Sequence, residues 1–140
     1  MSGRDRGSAA VELAIIAPAV IAVFVTVMLF GRTVIANQSI EAAAYDAART
    51  ASLARDGDAA AVWARQAAQD ALQAQDLHCS RIEVRVDTAQ FARPVGEPAN
   101  VTVTVECDVD FSDIALPGMP GGTTLSATFT SPLDRYRTRS

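Results

Sequence analysis

The dominant pattern in the chain is a hydrophobic run near its start, which extends from Leu13 to Phe30. At about 1.5 Å per helical residue, its 18 positions span about 27 Å, close to the roughly 30 Å hydrocarbon core of a bilayer. The pattern predicts one membrane-spanning helix over residues 8–31. With 140 residues, the chain has room for one further small domain.

The charges on either side of this run indicate its orientation. Arg4 and Arg6 precede it, offset in part by Asp5, whereas the long segment after it is acidic overall. Because basic residues favour the cytoplasmic side, we expect a cytoplasmic N-terminus and an extracytoplasmic C-terminal domain. A secretory signal is the main competitor, but its apolar core is about 7 to 15 residues long and ends in a small-residue site, which residues 30–34 do not resemble.

Beyond the apolar run, the hydrophobic pattern remains helical. Ile35, Ile40 and a series of alanines as far as Ala51 recur at three-to-four spacing with polar residues between them. This spacing is typical of a helix with one buried face. We therefore predict that the first helix continues from Ser8 to about Arg55.

The helical pattern breaks at residues 56–58, where Gly57 is expected to stop the first helix and Asp58 to cap the next. The second helix is predicted over residues 59–75. Its large apolar side chains are Val62, Trp63 and Leu72. We expect this helix to lie flat on a neighbouring element, with Trp63 as its packing anchor.

The period of the pattern changes to two in the last part of the chain, which predicts strands. Residues 80–86, 101–111 and 123–130 each alternate apolar with polar or charged side chains. The expected inward-facing residues are Ile82, Val84, Val86, Val101, Val103, Val105, Val109, Phe111, Leu125, Ala127 and Phe129. The three segments are predicted to pair as one antiparallel sheet.

Segments 91–100 and 117–122 contain proline and glycine and are predicted to be loops. Three antiparallel strands with one apolar face need a cover, which the long helix and the second helix can supply. The predicted fold class is therefore α+β, with an extracytoplasmic domain over residues 58–140.

Cys79 and Cys107 are the only cysteines, and both fall on the side predicted to be outside, where disulfides persist. Matching the apolar faces of the first two strands turns Cys107 inward, whereas a regular first strand would turn Cys79 outward. A disulfide therefore requires Cys79 to lie before the strand proper or at a β-bulge. The alternative is two unrelated thiols.

Candidate catalytic and metal-binding groups are few. His78 is the only histidine, and with two cysteines it makes an incomplete zinc set, so no metal site is predicted. His78 and Cys79 are adjacent, but neighbouring side chains in an extended segment point apart, and no third orienting group is evident. Asp108 and Asp110 alternate with apolar residues and most simply form the wet side of a sheet.

Overall charge excludes another class of partner. The formal net charge is −4, whereas a nucleic-acid-binding domain needs a basic face. We therefore predict no nucleic-acid partner, and the chain offers no glycine-rich phosphate loop. We also expect no enzymatic activity, no cofactor and no small-molecule substrate.

A single carboxylate, Glu12, directly precedes the apolar run. A charged side chain costs about 2.5 to 3.5 kcal/mol at the bilayer centre on insertion scales, and less near the interface. An acid here therefore indicates a role beyond anchoring. The alternative is an acid that simply stays in the headgroup zone.

Gly7, Ser8 and Glu12 have the spacing of type IV prepilins, which this N-terminus resembles. In that family the leader ends in glycine, and the processed chain begins with a small or aromatic residue and has glutamate at its fifth position. Gly7 alone carries little information, and the signal lies in its combination with Glu12, the basic leader and the apolar run.

A closer resemblance is to the TadE-like pseudopilins of the tight-adherence (Flp, type IVc) pilus system. It is carried by residues 6–12 (RGSAAVE), the apolar stretch with Pro18, and residues 42–49 (AAAYDAAR). The tail, with its Arg-Tyr-Arg at residues 135–137, also resembles members of this family. The start of the chain is the more specific part of the resemblance.

The resemblance implies that a membrane prepilin peptidase removes a leader of residues 1–7 by cutting between Gly7 and Ser8. It further implies that Glu12 pairs with the new amine of Ser8 on a neighbouring subunit and so aligns the subunits. The expected partners are the bilayer, the peptidase, other pilin subunits and the assembly platform. Because the chain carries a domain of its own, it resembles a minor component more than the bulk fibre subunit.

Two other functions stay open. The first is an uncleaved single-pass envelope protein that acts as a binding module or scaffold, in which Gly7 and Glu12 are coincidental. The second is a secreted enzyme or inhibitor released by cleavage beyond Gly31, although the lack of a catalytic set counts against an enzyme.

Overall fold

A computed structural model of the chain describes residues 4–110 and 121–134. Its elements are α1 (Arg4–Ser52), α2 (Gly57–Ala74), β1 (Cys79–Asp87), a short 3-10 helix (Ala89–Ala92), β2 (Asn100–Asp110) and β3 (Gly122–Pro132). The strands form one antiparallel sheet in the order β1-β2-β3. The predicted α+β class is confirmed, with a long apolar N-terminal helix, a shorter second helix and a three-stranded sheet.

The first helix is continuous and shifted toward the N-terminus relative to its prediction. It begins at Arg4 and ends at Ser52, instead of running from Ser8 to about Arg55, and it passes through Pro18 without ending. Alanine, which is frequent throughout this helix, loses no side-chain rotamer freedom there, whereas the valines and isoleucines of the apolar part are β-branched and favour a helix less.

The chain divides into two compact units, residues 1–35 and 36–140, and the core lies in the second. Within that unit, the buried face of α1 consists of small side chains with one exception, Ile40. Its members are Ala36, Ser39, Ile40, Ala43, Ala44, Ala47, Ala48, Ala51 and Ser52. Small side chains let the helix backbone approach its neighbours closely, so the predicted helical cover of the sheet is built mainly from alanine.

Two polar or aromatic contacts join this part of α1 to other elements. The Ser39 hydroxyl donates to Oε1 of Gln75 at the end of α2, at 2.8 Å. The Tyr45 ring meets the edge of Phe129 on β3, with ring centroids 4.8 Å apart. The helix is therefore tied both to α2 and to the β3 side of the sheet.

The start of α2 differs from its prediction. The N-cap is Asp56, whose Oδ1 accepts a hydrogen bond from the Ala59 N–H at 2.8 Å, so the prediction of Asp58 as the cap was wrong. Gly57 does not end α1 but is the first residue of α2. A Cβ at this position would come within 3.0 Å of the Thr88 side chain, so glycine permits the close approach.

The end of α2 is a Schellman motif. The Leu77 N–H donates to the Leu72 carbonyl and the Asp76 N–H to the Gln73 carbonyl, at 3.1 and 3.0 Å. Asp76 takes the left-handed conformation, with φ of 55°, that this motif needs. The two bonds satisfy carbonyls that the helix end would otherwise leave unpaired.

The buried face of α2 also differs from its prediction. It consists of Ala60, Ala64, Ala68 and Leu72. Trp63 is 45 % exposed and Val62 is 60 % exposed, so the prediction of Trp63 as the packing anchor was wrong. The three-to-four spacing of the alanines decides which side faces the core, and both larger residues fall outside that stripe.

The sheet follows the predicted alternation. Its central strand buries every second residue, namely Val101, Val103, Val105, Cys107 and Val109. Val84 and Val86 of β1 pair with Val105 and Val103, which is the predicted even-to-odd register. Three predicted features lie outside the described residues: Phe111, the loop at residues 117–120 and the tail motif at residues 135–137.

The register of β1 shifts between Cys79 and Arg81, where the pairing is irregular. Cys107 points into the core, and the shift brings Cys79 beside it, with the two Cα atoms 5.4 Å apart and the sulfurs joined in a disulfide. The irregularity is the feature that the sequence required for such a bond. It permits a cross-link between a core position and the first residue of β1.

We predict that the disulfide forms in the native protein and stabilises it. Closing a loop over a sequence separation of 28 residues stabilises by about 3 to 4 kcal/mol in the chain-entropy model. Urea unfolding of the full chain in detergent, followed by circular dichroism, should show this loss on reduction. A Cys79→Ala/Cys107→Ala variant should start from the lower stability and not respond to the reductant. Detection of free thiols in the native protein by alkylation and mass spectrometry would contradict the prediction.

Two neighbouring positions of α2 test which side of the helix carries the packing. Ala64→Leu should cost about 1 to 3 kcal/mol, because the added atoms overpack a fully buried site. Trp63→Ala should change stability by only about 0.5 kcal/mol, as expected for a surface substitution. Unfolding followed by circular dichroism measures both. A larger loss for Trp63→Ala than for Ala64→Leu would contradict the assignment.

Candidate membrane-spanning and assembly segment

The first part of α1 exposes apolar side chains on every side. Its most apolar 18-residue window has a mean hydropathy of 2.8, and none of that window is buried. The exposed large apolar residues in this part are Val11, Leu13, Ile15, Ile16, Val20, Ile21, Val23, Phe24, Val27, Met28, Phe30, Val34 and Ile35. A helix that is apolar all round is stable inside a protein or a bilayer. This N-terminal helix fits a single-pass membrane protein.

The two threonines within this stretch bond to the helix itself. The Thr26 hydroxyl donates to the Ala22 carbonyl at 2.7 Å, and the Thr33 hydroxyl donates to the Leu29 carbonyl at 3.1 Å. In hydrocarbon a hydroxyl has no water to bond, so an internal acceptor removes a cost of several kcal/mol. Both threonines are therefore compatible with a lipid environment.

The predicted processing and assembly residues lie at the N-terminal end of the same helix. Gly7 and Ser8 belong to its first two turns, and Glu12 follows with its side chain exposed. A separation of four residues corresponds to a rise of about 6 Å and places two positions on the same helix face. Ser8 and Glu12 therefore share one face, at the edge of the exposed apolar surface.

The other candidate groups from the sequence are His78 and Cys79. His78 Nδ1 lies 3.8 Å from Asp76 Oδ1, and both side chains are almost fully exposed. The Cys79 sulfur is bonded to Cys107, so it is not available as a thiolate. No group of three or more His, Cys, Asp or Glu with metal-binding geometry occurs among residues 4–110 and 121–134.

The sheet face opposite the helices carries paired charges. Glu83 of β1 lies directly across from Glu106 of β2, and Arg85 contacts both, with N···O distances of 2.8 and 3.2 Å. The hydrogen bond and positive charge of Arg85 lower the pKa of Glu83, while Glu83 and Glu106 raise the pKa of Arg85. Arg85 offsets the repulsion between the two carboxylates. Because all three groups are in contact with water, these ion pairs add little stability.

The rest of this open face is hydroxyl-rich. Its cross-strand hydrogen bonds are Thr102–Thr130 and Thr104–Thr128, at 2.9 Å each, and Thr124 to Asp108 Oδ1, at 2.6 Å. Asp108 thus lies on the solvent-exposed face of the sheet, as the alternation predicted. The face has no large apolar side chain from β2, and it is suited to water.

Sequence analysis missed the contact between Tyr45 and Phe129. Tyr45 lies in a correctly predicted helix and Phe129 in a correctly predicted strand. The two positions are 84 residues apart, and no local period links them. The one available signal was Tyr45 itself, a large aromatic residue among alanines. Tyr45 is 43 % and Phe129 39 % exposed, so the pair also forms part of the surface.

Comparison with known proteins finds a similarity in the N-terminal segment. Residues 7–49 match the family model described as TadE-like protein, and this range includes Gly7, Ser8 and Glu12. The match ends within α1, so α2 and the sheet lie outside it. No match was found among curated proteins or among solved structures. The N-terminal helix of this chain is therefore similar to the segment that the TadE-like family model describes.

Proposed function

We propose that this chain is a minor pilin, or pseudopilin, of a tight-adherence (Flp-type) pilus or a related secretion machine, and that a prepilin peptidase processes it. The observation that carries the proposal is the family match that begins at Gly7 and contains Glu12, on a helix whose apolar surface is exposed. In this proposal residues 1–7 are the leader, and Ser8 becomes the first residue.

The position of the proposed cleavage site suits proteolysis. A peptidase needs a locally extended chain, and the bond between Gly7 and Ser8 lies near the start of α1. The first four N–H groups of a helix have no intrahelical acceptor, and glycine lowers helix stability by about 1 kcal/mol relative to alanine. Unwinding the first turns to expose this bond therefore costs less than opening the helix interior.

Removal of the leader would change the electrostatics of the helix start. The new amine of Ser8 is positive, and it lies at the positive end of the helix dipole. Glu12 shares its face and is exposed, so it can pair with this amine or with the amine of a neighbouring subunit. A paired charge costs far less in hydrocarbon than either charge alone. Subunits in which this pair forms would be aligned along their helices.

The exposed apolar helix then has two uses. Before assembly it anchors the chain in the bilayer, with Arg4 and Arg6 supporting a cytoplasmic N-terminus. During assembly the same surface packs against the helices of other pilin subunits, while the α+β domain remains extracytoplasmic. The presence of a folded domain favours a role as a minor component. Such a component primes or caps a fibre, or acts with the assembly platform at the membrane.

Replacing Gly7 tests the processing step. In cells with an active prepilin peptidase, the native chain should begin at Ser8, whereas Gly7→Val should retain its leader because a branched side chain obstructs the cleavage site. Mass spectrometry of the membrane-extracted chain measures the N-terminus. The matched control is Gly31→Val, at a helical glycine where an added Cβ meets no atom within 4 Å. A native chain that still begins at Met1 would favour an uncleaved envelope protein and overturn the proposal.

Replacing Glu12 tests the assembly step separately. Glu12→Ala should leave leader removal intact but reduce incorporation into sheared pilus fractions, because the amine of Ser8 loses its partner. Glu41→Ala, which removes another exposed glutamate of α1, is the matched control and should assemble normally. Quantitative immunoblots of cell and pilus fractions give the ratio. Equal incorporation of the Glu12 variant and the native chain would rule out the proposed ion pair.

A further inference from the structure

The two edges of the sheet differ in their charge. In the described part of the chain, no strand pairs with β3 beyond β2, and the 11 residues of β3 include no charged side chain. The pairing of β3 with β2 is regular over its whole length. Natural edge strands are usually protected by charges, proline, bulges or short length. Of these devices β3 has only Pro132, at its last position, so the rest of its outer edge is suited to pairing with another strand.

Each edge strand also leaves one large apolar side chain exposed on the helix-covered face of the sheet. These residues are Ile82 of β1, 38 % exposed, and Phe129 of β3, 39 % exposed. Their strand partners on β2, Cys107 and Val103, are fully buried, which places both side chains on the core side. The uncovered apolar positions therefore lie at opposite edges of one face.

We propose that β3 of one copy pairs in parallel with β1 of a second copy, so that the sheets of successive copies join head to tail. The proposal rests on the proposed function in one respect: copies that share a membrane or a fibre must point the same way. Joining opposite edges keeps the orientation of every copy, because β1 and β3 run in the same direction within the sheet. The apolar side chains at both edges then become covered.

Pairing of two β3 edges does not satisfy the same conditions. An antiparallel pair has a two-fold axis normal to the sheet, which reverses the direction of the α1 segment packed on that sheet. A parallel pair has its two-fold axis along the strands. This axis turns the helix layers of the two copies to opposite faces and leaves Phe129 of one copy beside the open polar face of the other. β1 itself carries charges and a register irregularity, which protect its edge against many strands, but the uncharged β3 brings no like charge next to them.

The positions of the two apolar residues define a register. Ile82 and Leu125 pair with the same residue of β2, and Phe129 and Val86 also share one β2 partner. Ile82 and Phe129 are therefore offset by four residues along the strands. Shifting the second copy by about 13 Å, at about 3.3 Å per residue, brings Ile82 next to Phe129. In the same register, Arg81 of one copy lies beside Thr128 of the other, both on the open face.

Cysteine cross-linking in the full-length membrane protein tests this register. The variant Arg81→Cys/Thr128→Cys should form a ladder of dimers, trimers and larger species on mild oxidation, resolved on a non-reducing gel. Within one copy these positions lie on opposite sides of β2, roughly 10 Å apart or more, which is beyond the 7 Å limit for a disulfide. A ladder would therefore report contacts between copies.

The matched control is Arg81→Cys/Thr124→Cys, because Thr124 lies on the same strand and face and also makes one side-chain hydrogen bond. It should stay monomeric, as should the native chain, whose two cysteines are already joined. A ladder from the control, or none from the Thr128 variant, would overturn the proposal. Dimers from Thr128→Cys alone would overturn it as well, because they indicate two-fold pairing of β3 edges.

The N-terminus of the cross-linked species separates this inference from the proposed function. Mass spectrometry of the gel bands should find chains that begin at Ser8. A ladder of chains that begin at Met1 would support edge pairing and contradict processing. Monomeric chains that begin at Ser8 would support processing and overturn edge pairing. Retention of the Cys79–Cys107 bond in each variant shows that the domain is folded.

Discussion

The burial of alanine faces is the interaction on which the folded unit depends. The second part of α1 and the inner side of α2 present alanines to the core, and Ala43, Ala47 and Ala64 are completely buried. Alanine removes little apolar area from water, but it loses no side-chain entropy on folding and lets backbones approach closely. The valines of β2 supply the larger buried side chains. The core of this unit therefore combines small helical side chains with larger side chains from the strands.

A second constraint is that one continuous helix must serve two environments. As far as Ile35, α1 exposes apolar side chains all round, which suits lipid or other apolar helices. From Ala36 it buries one narrow face and exposes polar residues elsewhere, which suits a small water-exposed domain. This change coincides with the boundary between the two compact units. The family match spans both parts of the helix, so the exposed apolar segment and the core-packing segment both lie within the range that is similar to TadE-like proteins.

The elements could be predicted from the chain because each has a strong local period, but two details of α2 could not. Trp63 was expected to anchor the helix because of its size, yet the alanine stripe determined the buried side. Asp58 was expected to cap the helix, yet Asp56 has the cap geometry, and Gly57 allows the approach of Thr88. Both errors arise where several residues are locally suitable and their packing against distant elements selects one.

Local patterns in the chain were enough to predict the membrane-length apolar run, the position of Glu12 relative to Ser8, the alternation of the strands, and the even-to-odd pairing of the first two strands, but not their exact register. These features depend on periods of two or about 3.6 residues, which are written in neighbouring positions. Three features could be seen only in the folded chain: α1 contacts β3 through Tyr45, Trp63 stays at the surface, and an irregularity brings Cys79 to Cys107. Such contacts join residues far apart in the chain, and they follow from how all layers pack together, which no local pattern encodes.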